Sequence, residues 1–163
     1  MVYGELGGNS LVYSVNYERE LFVSKNLWSN LSVRVGFGVI PVNQVQFIDS
    51  AATNMYISPA MVFPLELMYY LGRDRHKIEA GMGWTPMAVV LHLRQEDPFT
   101  GSVYIRPEYH FAHMVAPSLS YRYQSHSGFF LKAGVVVQML FYGTKPANPP
   151  AIPFPRLSLG YRF

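Results

Sequence analysis

The chain has 163 residues, half of them hydrophobic and only 14% charged, with 12 Tyr, 11 Phe and a net charge of +3. No run of 18 apolar residues occurs, which excludes an ordinary transmembrane helix, and the absence of cysteine excludes a disulfide framework or a thiolate metal site. Soluble domains carry about 25% charged residues, so the deficit fits a surface partly in lipid, while the dispersal of Lys and Arg gives no support for nucleic-acid binding.

The start, Met1-Val2-Tyr3-Gly4-Glu5, has neither a basic n-region nor an apolar h-region. An exported protein therefore implies a mature form, or a fragment with an added Met. Residues 2–6 read as a short strand ended by the turn signal Gly7-Gly8-Asn9. Over 11–22, Leu11, Tyr13, Val15 and Tyr17 alternate with Ser14, Asn16 and Glu18, and Ser24-Lys25-Asn26 follows as a turn. Leu31, Val33, Val35, Phe37 and Val39 then alternate with Asn30, Ser32, Arg34, Gly36 and Gly38. Residues 41–54 form a polar loop.

Residues 57–71 place Met61, Phe63, Leu65, Leu67 and Tyr69 on one row and Ala60 and Glu66 on the other. Pro59 and Pro64 cannot donate to a ladder, which predicts bulges there. Beyond the turn Gly72-Arg73-Asp74-Arg75-His76, Ile78, Ala80, Met82 and Trp84 oppose Glu79, Gly81, Gly83 and Thr85. After Pro86 the apolar row passes to Met87, Val89, Leu91 and Leu93, a change of parity that predicts another bulge. Residues 95–101 form a second loop. The stretch 102–124 is the longest two-faced strand, Val103, Ile105, Tyr109, Phe111, Leu119 and Tyr121 against Arg106, Glu108, His110, Ser118, Ser120 and Arg122. Ser125-His126-Ser127-Gly128 is a turn. Strand 129–141 carries Leu131, Val135 and Val137 outward and Lys132, Gly134 and Gln138 inward. A Pro-rich loop, 143–153, precedes the last strand, 157–163.

Eight strands in one domain, 1–163, predict a closed antiparallel up-and-down transmembrane β-barrel, with short turns at one end and longer loops at the other. Its inner rows hold Glu18, Arg34, Glu66, Glu79, Arg106, Glu108, Arg122, Lys132 and Arg156. In lipid each outward Arg or Lys would cost roughly 2–4 kcal/mol at the midplane, and an eight-stranded barrel is just wide enough for its own side chains. A paired ionic interior, rather than a general pore, is the expectation. Tyr17, Trp28, Tyr69, Tyr121, Tyr123, Tyr161 and Phe163 fall near one rim, as an aromatic girdle does.

Catalysis is the lesser expectation. Glu108, His110, Ser118 and Ser120 supply the residue types of a lipid-modifying hydrolase or acyltransferase, but no His-x-Ser and no Gly-x-Ser-x-Gly occurs. His110 and His113 face opposite ways, so they cannot chelate one metal, and no cofactor is implied. The hairpin around 95–101 is expected to project and bind an extracellular partner, with Met87, Phe99, Tyr104 and Met114 as an adaptable apolar patch. A second alternative, a soluble lipocalin-like barrel, predicts the opposite facing of the rows.

The end, Leu157-Ser158-Leu159-Gly160-Tyr161-Arg162-Phe163, resembles the C-terminal signature of small eight-stranded Gram-negative outer-membrane β-barrels of the OmpX/OmpA-like class. Asn16-Tyr17-Glu18-Arg19 and Ser120-Tyr121-Arg122-Tyr123-Gln124 look like segments of the same class. The resemblance implies residence in the bacterial outer membrane, contact with outer-membrane lipid and lipopolysaccharide, and an assembly signal at Tyr161 and Phe163 read by the barrel-assembly machinery. It points to location and fold rather than to an activity; the expectation of a structural or surface-interaction role comes from the filled interior and the projecting hairpin.

Overall fold

Alternation gives each strand two unlike faces, and the chain rolls the resulting sheet until its first and last strands meet. A computed structural model describes residues 1–10, 12–23, 29–40, 55–57, 59–73, 75–96, 103–142, 145–146 and 151–163. The barrel strands are β1 (Val2–Gly7), β2 (Tyr13–Val23), β3 (Ser29–Ile40), a fourth in three pieces, β5 (His76–Glu96), β6 (Val103–Gln124), β7 (Phe129–Tyr142) and β8 (Ile152–Tyr161). The pieces of the fourth are β4a (Met55–Ile57), β4b (Ala60–Val62) and β4c (Leu65–Arg73). Each strand pairs antiparallel with its neighbours, and β1 closes the barrel on β8 through Val2 opposite Tyr161 and Gly7 opposite Arg156. Both chain ends, the Arg73–His76 pair that ends the β4c–β5 ladder and the turn at 125–128 share one end, the terminal end; the opposite end is the loop end.

The wall is apolar outside. Leu67, Leu119, Val135 and Leu159, on four different strands, are 49–61% exposed. Tyr17, Tyr69, Tyr121 and Tyr161 lie outward toward the terminal end. Tyr123 packs its ring 5.5 Å from that of His76. Trp28 lies outside the described residues.

Prolines shape the ladder differently from the expectation. The register between the fourth strand and β5 shifts by one residue between Ile57 and Met61, an extra residue in the stretch that holds Pro59, as a bulge there requires. No shift accompanies Pro64, because β4b and β4c keep one register against both β3 and β5. Nor does Pro86 bring a change of parity. The β5–β6 ladder runs unbroken from His76 opposite Tyr123 to Glu96 opposite Val103. Met87 is consequently buried inside and Ala88 exposed outside. The final strand starts at Ile152, inside the stretch expected to be loop. Pro153 and Pro155 are tolerated because they share a parity, which confines their missing N–H donors to one side. There β1 has already ended, its last partner being Arg156.

The link from β1 to β2 is the main departure. Gly7 and Gly8 adopt positive φ, +70° and +66°, and turn the chain inward rather than over the rim. Gly8–Ser10 then form a single 3-10 turn with all three residues buried. This plug explains why so short a link stands on the side where long loops are expected.

Candidate functional site: an ionic interior beneath a plug

Four acids and four bases occupy the described interior, and they sort into two layers. Toward the loop end, Arg34 meets Glu5 at 2.5 Å and Glu66 at 3.0 Å. Arg156 crosses to the same two carboxylates, with Nε 3.3 Å from Glu5 and Nη2 3.0 Å from Glu66. Ser118 Oγ donates to Glu66 Oε1 at 2.5 Å, and Ser158 Oγ donates to Glu5 Oε2 at 3.2 Å. Each carboxylate thus bridges two guanidinium groups.

Toward the terminal end, Arg122 forks onto Glu18, Nη2 to Oε2 at 2.8 Å and Nη1 to Oε1 at 3.1 Å. Its Nε also faces Glu79, whose other oxygen lies 2.8 Å from Lys132 Nζ. These Glu79 contacts are ion pairs without hydrogen-bond geometry. Tyr70 donates its hydroxyl to Glu18 and lies 2.7 Å from Ser32 Oγ. The Arg122 guanidinium lies over the rings of Tyr70 and Phe130, 4.8 and 4.7 Å from their centroids, where cation–π attraction adds to the ion pairs. All eight ionic residues are at most 2% exposed. Such burial is sustainable because each layer is neutral and each charge has a counter-ion within contact.

The plug seals the upper layer. Arg156 Nη2 donates to Asn9 Oδ1 at 3.0 Å, Thr85 Oγ1 donates to Asn9 O at 3.2 Å, and Gln138 Nε2 donates to Gly8 O. Gly83 makes the room: a Cβ there would strike the Asn9 amide. Beyond the plug the interior turns apolar, with Val62, Met87, Ala112 and Met114 packed together and Ile40 and Leu140 against them.

Of the residues expected inside, Glu18, Arg34, Glu66, Glu79, Arg122, Lys132 and Arg156 are brought together in these layers. The side chains of Arg106 and Glu108 lie outside the described residues. Glu5 and Asn9 were missed. The expected inner row held one more cation than acids, and that surplus was the signal that an acid remained to be found; Glu5 shares its row with Tyr3 and alternates with Val2, Gly4 and Leu6. Met87 and Met114, expected on a projecting patch, are instead in the apolar interior, whereas Phe99 and the Tyr104 side chain lie outside the described residues.

The four candidate catalytic residues are spread along one unbroken strand. His110 opposes Val89 and Glu108 opposes Leu91, toward the loop end. Ser118 lies eight residues away, about 26 Å at strand rise, and Ser120 farther still. Ser118 Oγ is engaged by Glu66 and Arg156, and Ser120 is buried opposite Gly134. Among the described residues neither hydroxyl meets an imidazole. Among the described histidines, His113 stacks on Phe141 at 5.4 Å on the outer face and His76 pairs with the Tyr121 hydroxyl. Among the described residues no group of three or more His, Asp or Glu is placed to hold a metal ion. Comparison with family models, curated proteins and solved structures finds no match to this chain.

Proposed function

We propose that this protein is an integral β-barrel of a bacterial outer membrane, with a structural or surface-interaction role and no general porin activity. One observation carries the reading: apolar side chains cover the outside of all eight strands while the ionic residues of the described interior are sequestered within. Water solvates the reverse arrangement better, since a soluble barrel keeps its charges out and its apolar row in. Hydrocarbon favours the arrangement found here. The neutral ionic layers and the plug occupy the lumen that a porin leaves open.

Lipid and lipopolysaccharide are the natural surroundings of such a belt, and the terminal segment ending Tyr161-Arg162-Phe163 fits recognition by the barrel-assembly machinery. The β5–β6 hairpin supplies an interaction element. The described part of β7 opposes β6 no farther than Ala112, so Val103–Phe111 extends about 30 Å beyond it. Tyr109 and Phe111 are 77% and 80% exposed on that extension. A strand edge with aromatic neighbours suits pairing with an extended segment of an extracellular partner. The separation of His110 from Ser118 favours this reading over a lipid-modifying enzyme.

Expression with an export signal tests the proposal. The protein is expected in the outer-membrane fraction, with a gel mobility that shifts on heating in detergent, and planar bilayers are expected to show no steady open channel. Recovery as a detergent-free monomer would overturn the membrane assignment, and steady conductance would overturn the closed lumen.

A further inference from the structure

The interior layers cancel in charge, so the whole net charge of +3 resides outside them, and it is unevenly placed. Among the residues described with their side chains, the terminal end carries Arg19, Arg75, Lys77 and Arg162 against Glu20. Excess positive charge is therefore gathered at that rim.

A cavity of about 520 Å³ opens at that rim, lined by Arg75, Lys77, His126 and Arg162 together with Tyr161 and Phe163. Its frame is fixed by backbone bonds: Gln124 N donates to Arg75 O at 2.8 Å, and Arg162 N donates to Gly128 O at 2.8 Å. Among the described side chains, the acid paired at this rim is Glu20, 3.4 Å from Arg162 in a partly exposed pair that offsets little. Tyr161 and Phe163 also line a second hollow, an apolar groove of about 420 Å³ on the outer wall over Val2, Gly4, Val15, Phe129 and Leu159. Gly4 creates the notch. It points outward within the apolar belt, and a Cβ placed there would meet nothing within 4 Å.

A cationic pocket at this rim and an apolar groove on the outer wall, sharing Tyr161 and Phe163 in their linings, have the two chemistries of one molecule. We propose that this rim binds an anionic phospholipid, its phosphodiester among Arg75, Lys77 and Arg162 and an acyl chain in the groove over Gly4. The site rests on the membrane reading above, and the occupant is chosen by charge: a zwitterionic lipid presents the same phosphodiester but carries its own cation beside it, which the surplus cations repel, whereas each Lys or Arg near an anionic headgroup is worth about a fivefold change in affinity.

Native mass spectrometry of the detergent-purified barrel tests it, with phosphatidylglycerol and phosphatidylcholine of identical chains at equal concentration. The expected result is a clear preference for phosphatidylglycerol. Arg75→Gln with Arg162→Gln should bring the two adducts close to parity. Gly4→Leu should weaken both lipids while leaving the response to glycerophosphoglycerol, a headgroup without chains, unchanged. Equal binding of the two lipids by the native sequence, or a preference that survives the double substitution, would overturn the site. Headgroup binding as strong as lipid binding, insensitive to Gly4→Leu, would reduce it to a soluble-phosphate site and likewise overturn the proposal. Heat-shifted gel mobility of the same samples separates the two failures: a barrel that shifts and shows no lipid preference loses only this site, and one that needs no detergent loses the membrane reading.

Discussion

Arg122 is the residue on which most converges, its guanidinium contacting two carboxylates, Glu18 and Glu79, and lying over two aromatic rings, Tyr70 and Phe130. Removing it leaves Glu18 bonded only to neutral groups and Glu79 with Lys132 alone. Arg122→Met is expected to destabilise the folded barrel by about 3–5 kcal/mol, the usual penalty for orphaning one member of a buried pair. Arg122→Lys should recover part of the loss, because one ammonium reproduces the charge but not the fork onto Glu18. Urea titration in detergent or vesicles, followed by tryptophan fluorescence, reads both. Equal stability of Met and wild type would show that the layer contributes no net stabilisation. A separate change, Gly83→Leu, should expel Asn9 from its seat, since even a Cβ collides with it.

At the scale of elements, the inward turn at Gly8–Ser10 is held by side chains from β5, β7 and β8. Thr85→Val combined with Gln138→Leu removes two of its three anchors. Amide hydrogens of Gly8 to Ser10 should then exchange at least about tenfold faster if the anchors supply some 1.5 kcal/mol between them, while the β5–β6 ladder stays protected. No acceleration would mean that the turn is held by other contacts. The sequence revealed the faces of the strands because alternation is local and every second residue answers to the same solvent. It could not reveal the turn, because a Gly-Gly-Asn signal specifies a reversal without saying which side of the wall receives it. Pro86 misled for a related reason. Apolar residues beyond it look like an outer row displaced, yet the ladder is continuous and the lumen itself becomes apolar above the plug. The register, set by partners across the sheet, carried information that the run of residues along it did not.

For the whole molecule, the decisive property is which solvent the belt faces. Leu67 lies outward between two buried neighbours, Glu66 and Met68, and is 49% exposed. In a bilayer Leu67→Arg is expected to cost roughly 2–4 kcal/mol; on a water-facing surface the same change would stay within about 0.5 kcal/mol. Refolding into vesicles and into detergent, each followed to its unfolding midpoint, distinguishes the two. A near-neutral outcome in vesicles would contradict the lipid-facing assignment.

The upper ionic layer draws one of its two cations, Arg156, from the final strand, and one of its two acids, Glu5, from the first. The pair between Arg156 and Glu5 spans the seam between β1 and β8, so it forms only when the two ends of the sheet have met. Completion is therefore marked electrically as well as by strand pairing. Arg156→Met should accordingly slow the last stage of refolding, seen as a lag in the heat-shifted gel species, more than it slows insertion of the open sheet. Equal delay of both stages would show that sealing is indifferent to this charge.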